Sequence, residues 1–305
     1  REVIKIDRNV QLIGHEPSSD QKHVIIEHPS LEHAQHNDTN SSGSSSVPPP
    51  SSNVLLSVQS CTNVSMKNIT FTNPNLHHKS PIVRITGQSR GVAISKCRFN
   101  GVQLEVDNFS ELAVNKCTIS HVNLSTGGLY IHNDSKGHFI DNSFSSNAHA
   151  NIHISHNADP IIEFNDIFKS HAVGILCAHQ GKGWITRNEI YDNKSHGIQV
   201  HTGAEPMIEH NEIDHNEGRG IDCGYLSAGT IRHNNIAKNA VFPQVKVTDD
   251  SSVIVEDNNH IVDVVMKTTT TTMMDDANTG TGGGASSPTT AIDDASTADY
   301  TDTDL

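Results

Sequence analysis

Ile185-Thr-Arg-Asn188-Glu-Ile190-Tyr-Asp-Asn193-Lys-Ser-His-Gly197-Ile198 returns, one period on, as Ile208-Glu-His-Asn211-Glu-Ile213-Asp-His-Asn216-Glu-Gly-Arg-Gly220-Ile221. The anchor asparagine recurs at even spacing as Asn142, Asn165, Asn188, Asn211 and Asn234, and a second polar column as Asn147, Ser170, Asn193, Asn216 and Asn239. Apolar columns flank the anchor: Phe139, Ile162, Ile185, Ile208 and Ile231 before it, and Phe144, Ile167, Ile190, Ile213 and Ile236 after it. A fixed period of this length marks a solenoid, in which each repeat covers the apolar face of its neighbour. The runs are short, β-branched and separated by Gly, Pro and polar residues, so they read as strands. No apolar stripe of helical period is long enough to argue otherwise.

The fold expected is all-β: a single-stranded parallel β-helix with coils of about 23 residues stacked at the strand spacing of about 4.8 Å. Right-handedness follows from the general preference of parallel crossovers. Stacked asparagines can form amide ladders, and asparagine also tolerates left-handed turn geometry. Gly137, Pro160, Gly183, Pro206 and Gly229 alternate within the repeat, which suggests a two-coil unit.

The stack is expected to span residues 1–265, most regular over 128–240. Residues 30–53, with Ser-Ser-Gly-Ser-Ser-Ser-Val-Pro-Pro-Pro, read as a low-complexity loop excursion. Residues 266–305 read as a disordered acidic tail of Thr, Gly, Ser and Asp. The formal charge is −14; seven aspartates and one lysine from Lys267 onward place −6 of it in the tail and −8 elsewhere. That balance excludes a nucleic-acid partner held by phosphate contacts. No apolar run is long enough to span a membrane. The chain opens at Arg1 directly in a strand-like run, as though cut from a longer protein.

The five cysteines are odd in number and lack pairing motifs. Cys97 and Cys117 occupy the anchor position of irregular coils and read as small inward hydrophobes. Cys177 and Cys223 share a column two coils apart, about 9–10 Å, too far for a disulfide. A reducing compartment, cytoplasmic or nuclear, is expected.

Candidate chemistry lies in the rows that stacking creates. Three read as exposed binding rows: Glu163, Thr186, Glu209 and Arg232; His153, Leu176, Gln199 and Asp222; and His156, His179, Thr202 and Tyr225. Asp166, Glu189 and Glu212 form an acidic column in which crowding could raise one pKa. The histidine pairs His156/His179 and His210/His233 are too few to make a metal site, so neither metal nor cofactor is expected. Trp184 reads as packed against its coil between Ile161 and Met207. Motifs of pectin-degrading hydrolases and alginate epimerases are absent: Asp159-Pro160 is followed by Ile161.

The segments Gly181-Lys-Gly-Trp-Ile-Thr-Arg-Asn188 and Thr202-Gly-Ala-Glu-Pro-Met-Ile-Glu-His-Asn211-Glu-Ile213 resemble the β-helix of F-box proteins with carbohydrate-binding and sugar-hydrolase-type repeats. The resemblance implies a non-catalytic, right-handed β-helix that recognises protein substrates for a ubiquitin ligase. The low-complexity segments suggest a eukaryotic source. This sequence departs from that family in lacking F-box helices and a cysteine-rich zinc finger. The alternative is a polysaccharide lyase, hydrolase or epimerase, or a module that binds glycan without turnover. A groove holding two or more carboxylates and a basic residue would favour the enzyme, and an empty groove the scaffold.

Overall fold

The computed structural model describes residues 4–6, 11–13, 24–27, 54–76, 79–257 and 259–262. The expected loop excursion at 30–53 and the acidic tail therefore lie outside the described residues. Arg1–Val265 forms one compact unit, and Met266–Leu305 is assigned to a second.

Among the described residues thirty short strands make three sheets of ten, and the strand pairings between one coil and the next are parallel. One regular coil illustrates the rest. Ile175–Cys177 lies in the first sheet, Trp184–Thr186 in the second and Glu189–Tyr191 in the third. Each then repeats one coil later as Ile198–Val200, Met207–Glu209 and Glu212–Asp214. This is the parallel β-helix that the period dictates. Among the described residues no helix is long and apolar enough to cross a membrane.

The core is built from the apolar columns. Ile175, Ile185 and Ile190 point inward from the three sheets of one coil and are fully buried, and Ile198, Ile208 and Ile213 repeat them above. Burying an isoleucine side chain is worth about 1.5–3 kcal/mol. A column of like side chains also packs without voids, since each sits on the same shape below it.

The asparagines settle the turns. Asn188 Oδ1 accepts from Asn165 N (2.9 Å) and Asn165 Nδ2 (3.0 Å). Asn188 Nδ2 donates to Ile162 O (2.9 Å) and Asn211 Oδ1 (3.0 Å). Each amide thus satisfies buried backbone groups at a corner where the sheet ladder is interrupted. Left-handed geometry is not its task. The positive-φ residue is the one before each anchor: Asp141, Phe164, Arg187, His210 and His233, with φ between 53° and 56°. The non-glycine residues forced there are tolerated because the ladder on either side fixes the chain.

The second ladder has one short member, Ser170, and its repair is visible. Asn151 reaches across the gap, donating to Asn193 Oδ1 (3.3 Å) and accepting from Asn147 Nδ2 (2.8 Å). In the next coils the Asn151 position is Gly174 and Gly197. A Cβ there would lie 2.9 Å from Asn193 Nδ2 and 3.0 Å from Asn216 Nδ2. Glycine is required where the ladder is complete, and asparagine fits only where serine leaves room.

All five cysteines are buried thiols. Cys177 and Cys223 are separated by Val200 in the first sheet. Cys97 and Cys117 carry the first ladder into the irregular coils with sulfur in place of the amide, Cys97 N donating to Cys117 Sγ at 3.3 Å.

Candidate functional site

The outward row of the first sheet runs, coil by coil, Ser57, Arg84, Glu105, Tyr130, His153, Leu176, Gln199, Asp222 and Lys246. Each occupies the middle of a strand whose neighbours point inward, as in Leu104-Glu105-Val106 and Leu129-Tyr130-Ile131. Alternation along the strand places the middle residue outside. Unlike the columns of the core, this row holds a different side chain at almost every level.

The end of the row nearest the N-terminus is a network of charge. Glu105 is buried, and its carboxylate is shared: Arg84 Nε donates to Oε2 at 2.7 Å, and His132 Nε2 lies 3.0 Å from Oε1. Burial alone would push the Glu105 carboxyl up. The His132 hydrogen bond and the Arg84 charge outweigh it and hold the group below the ordinary carboxylate range. On the other edge of the imidazole, Nδ1 lies 3.7 Å from Asp107 Oδ1. Asp107 is itself fixed by Asn133 Nδ2 at 2.9 Å. Arg84 spends only its Nε on Glu105, so its terminal guanidinium nitrogens have no hydrogen-bond or ion-pair partner among the described residues.

Tyr130 stacks on this imidazole, centroid to centroid 4.0 Å at 11°, and Ser155 Oγ meets its hydroxyl at 3.2 Å. His153 lies beyond, 4.8 Å from the Tyr130 ring. Both ring nitrogens of His153 are shielded from solvent and have no hydrogen-bond partner among the described residues. Burial, reinforced by His179 and His201, pushes its pKa down to about 3, so it is held neutral. Beside it runs a histidine edge: His156 and His179 stack at 5.2 Å, and His201 meets both His179 and Tyr225 edge-on at 6.4 Å.

Glu105, Asp107 and His132 offer ligand atoms within 4.8 Å of one another. They are the set best placed among the described residues to hold a cation. The two carboxylates address opposite ring nitrogens, however. A cation could take only one of those nitrogens, so the geometry suits proton movement through the imidazole better than chelation.

The structure separates the three rows read from the sequence. His153, Leu176, Gln199 and Asp222 continue the row of Arg84, Glu105 and Tyr130. His156, His179, Thr202 and Tyr225 sit at the adjoining turns, His156, Thr202 and Tyr225 exposed and His179 half-buried. Glu163, Thr186, Glu209 and Arg232 belong to the second sheet, on a different face. Thr186 and Glu209 are buried rather than exposed. Glu209 is covered by its own partners: Trp184 Nε1 donates to its Oε1 (2.9 Å) and Arg232 Nε to its Oε2 (2.5 Å). Trp184 is itself 38 % exposed rather than packed inward, since Ile185 takes the core position. The acidic column Asp166, Glu189 and Glu212 stands exposed in the third sheet. The pair His210/His233 stacks at 4.8 Å, with both residues exposed.

The rows read from the sequence do not reach Arg84, Glu105, Asp107, Tyr130 or His132. Tyr130 lies one regular period before His153, so extending that row by one coil finds it. The steps from Tyr130 back to Glu105 and from Glu105 back to Arg84 are 25 and 21, so a constant period misses both.

The model of a right handed beta helix region matches residues 100–260. No curated protein sequence matches the chain. Several solved structures share the fold. The A-module of the mannuronan C-5 epimerase AlgE6 from Azotobacter vinelandii has a TM-score of 0.52 at 14 % identity, over 68 % of this chain and 66 % of that one. The periplasmic alginate epimerase AlgG gives 0.49 at 13 % identity, over 66 % of this chain and 62 % of that one. The Dettilon tailspike protein gives 0.43 at 13 % identity, over 70 % and 57 %. The chain thus spans less than two thirds of each of these structures, and the likeness is one of fold.

The expectation of a non-catalytic, protein-recruiting scaffold of the F-box type is corrected on two grounds, and with it the ubiquitin-ligase role and the eukaryotic source. At the first sheet and the turns after its strands stand the residue types expected of an enzyme: two carboxylates, Glu105 and Asp107, with Arg84 and His132. The family model that matches is that of a right handed beta helix region and not of an F-box protein, and the fold is shared by the mannuronan C-5 epimerase module. The repeat motif that carried the resemblance consists of the inward isoleucines and ladder asparagines, and those residues specify the coil rather than a partner.

Proposed function

The chain belongs to the right-handed β-helix family, and from that premise we propose that it is a polysaccharide-active enzyme that moves a proton on a uronate residue. The observation that carries the proposal is the imidazole of His132 held between two carboxylates beside an uncommitted guanidinium edge.

A carbon-bound hydrogen next to a carboxylate becomes removable only when the carboxylate charge is neutralised. The terminal nitrogens of Arg84 present the fork geometry that pairs with a carboxylate in two parallel hydrogen bonds. Glu105 fixes the ring and tautomer of His132 through Nε2, leaving Nδ1 as the atom that takes a proton. Asp107, 3.7 Å from that atom, stabilises the imidazolium that results. Tyr130, stacked on the ring with its hydroxyl against Ser155 Oγ, is a second proton-bearing residue beside it. A proton taken from one face of the carbon and returned to the opposite face inverts it; a proton taken without return, with the glycosidic oxygen leaving as an alcohol that takes up a proton, cleaves the chain. Hydrolysis fits less well. It needs two carboxylates free to act on either side of the sugar, whereas here Glu105 is committed to Arg84 and His132.

Support for a glycan substrate comes from the continuous outward row of the first sheet and from the mannuronan epimerase among similar folds. The test is solvent exchange. Incubated with mannuronan or another polyuronate in heavy water, the protein is expected to place deuterium at the carbon next to the carboxylate, read by NMR. His132→Ala is expected to slow this by about 10²–10⁴-fold, the usual share of a general base. Exchange equally fast in that variant, or none in the parent protein with any polyuronate, would end the proposal.

A further inference from the structure

The second sheet has an outward row of a different kind: Ala93, Ala113, His138, Ile161, Trp184 and Met207. A cavity of about 360 Å³ lies along it, spanning five coils. At the strand spacing that is about 19 Å of length. Ala113, Gly137, Pro160 and Ile161 line it with apolar surface, and Trp184 stands at one end. Glu111, Lys136 and Asp159 border it.

Trp184 is held before any ligand arrives. Its indole donates to Glu209, and Glu209 is clamped by Arg232, whose Nη2 also reaches Met207 Sδ at 3.7 Å. Glu209 is buried at 5 % exposure. Burying a carboxylate is costly unless it is paired. Here the pair fixes an exposed aromatic ring that adds nothing to the core. Such an arrangement lowers the entropy lost when something flat stacks on the ring.

We propose that this trough binds a neutral glycan chain, at a site separate from the proton-transfer site of the first sheet. A sugar ring has an apolar face of C–H bonds and an edge of hydroxyls. The trough offers an apolar floor and aromatic end for the first, and charged hydrogen-bonding groups for the second. The rim charges alternate and cancel: Arg90 pairs with Glu111 at 3.8 Å and Lys136 with Asp159 at 3.4 Å. A polyanion finds no net positive charge there. A peptide strand finds no backbone to join, because the strands Glu111–Asn115, Lys136–Ile140 and Asp159–Glu163 are paired on both edges.

Trp184 is the only tryptophan, so intrinsic emission reports on this site alone. Titration of the full chain with cellohexaose and mannohexaose is expected to quench and blue-shift that emission, and mannuronan oligomers to leave it unchanged. By calorimetry, Trp184→Ala is expected to weaken binding of the responsive neutral oligomer at least tenfold. Glu209→Gln, with folding checked by circular dichroism, is expected to weaken it severalfold by freeing the indole. Unchanged emission with both neutral oligomers overturns the proposal. So does a response to mannuronan alone, or undiminished binding in Trp184→Ala. The readout involves no catalysis, so its failure leaves the proton-transfer reading standing, and the converse holds.

Discussion

The coils from Leu129 to Ala237 and those from Val54 to Ser120 use the same three sheets and the same buried interior, yet they differ in what they repeat. In the later coils the anchors fall every 23 residues and their amides form an unbroken line. In the earlier ones the anchor position passes from Ile69 to Cys97, Cys117 and Asn142 in steps of 28, 20 and 25, so Cys97 and Cys117 stand where asparagine would. Arg84, Glu105 and Asp107 all lie in the irregular part, and His132 sits at its border. Repetition places like on like, which is what a ladder needs. A site needs unlike groups converging, such as a guanidinium against a carboxylate against an imidazole. A strictly periodic stack does not supply these unless a row departs from the repeat, as the outward row of the first sheet does.

The largest expected effect breaks the ladder on the regular side. Asn188→Leu strips partners from Asn165 N and Ile162 O and interrupts the amide chain to Asn211. Each buried group left unpaired costs about 1–3 kcal/mol. Over these groups a loss of about 3–5 kcal/mol is expected, read as a lower urea midpoint. A loss under about 1 kcal/mol, no more than one ordinary hydrogen bond, would mean that the isoleucine columns alone hold the regular coils.

A middle-sized effect sits one coil inside the regular region. His153 is neutral in the folded chain, with a pKa of about 3 against about 6.5 when unfolded. The sign follows: protonation favours the unfolded chain. The stability gained from holding His153 neutral is complete above about pH 6.5 and is lost as pH falls toward the folded value, at roughly 1.4 kcal/mol per pH unit. Positive charge on His179, His201, His132 or His156 opposes a charge on this ring. His153→Leu imports the residue found one coil later, Leu176. The variant is expected to lose stability less steeply with acid than the parent, over about pH 6 to 4. Glu105 also loses its favourable partners in acid, at a pH below its ordinary titration range, and does so in both proteins. Identical slopes would show that His153 reaches water.

The same contrast explains what can be read from the residues. The inward columns are legible because burial tolerates one chemical type at a fixed spacing. The ladder is legible for the same reason, although only part of its task is. The left-handed residue precedes the asparagine, a fact that depends on backbone angles and leaves no mark on composition, as Asp141, Phe164 and Arg187 show. The outward row of the first sheet is legible from Asp222 back to His153. Before that the offset from anchor to inward strand residue changes: it is 10 from Asn142 to Ile152, 12 from Cys117 to Leu129 and 7 from Cys97 to Leu104. Turn length there is set by local packing, so Glu105 cannot be aligned with Tyr130 by counting. The burial of Glu209 is hidden for another reason. It depends on the direction Trp184 takes, and that is decided by Arg232 in the second coil beyond.

The smallest effect tests whether the irregular coils differ in backbone or only in side chain. Cys117 already performs the ladder's duties weakly: its Sγ accepts from Cys97 N at 3.3 Å and lies 3.7 Å from Ile94 O, while its own N donates to Asn142 Oδ1 at 2.9 Å. An amide in that place has an acceptor and a donor aimed at the same two backbone groups, as Asn188 has toward Asn165 N and Ile162 O. Two hydrogen bonds would improve, each worth about 0.5–1.5 kcal/mol, against the strain of a larger side chain in a filled core. Cys117→Asn is therefore expected to raise the urea midpoint slightly, by about 1 kcal/mol or less. A clear loss would mean that the short coil between Cys97 and Cys117 brings its corner too close for an amide. The break in period at the candidate site would then be a change in the path of the chain, and sulfur its consequence.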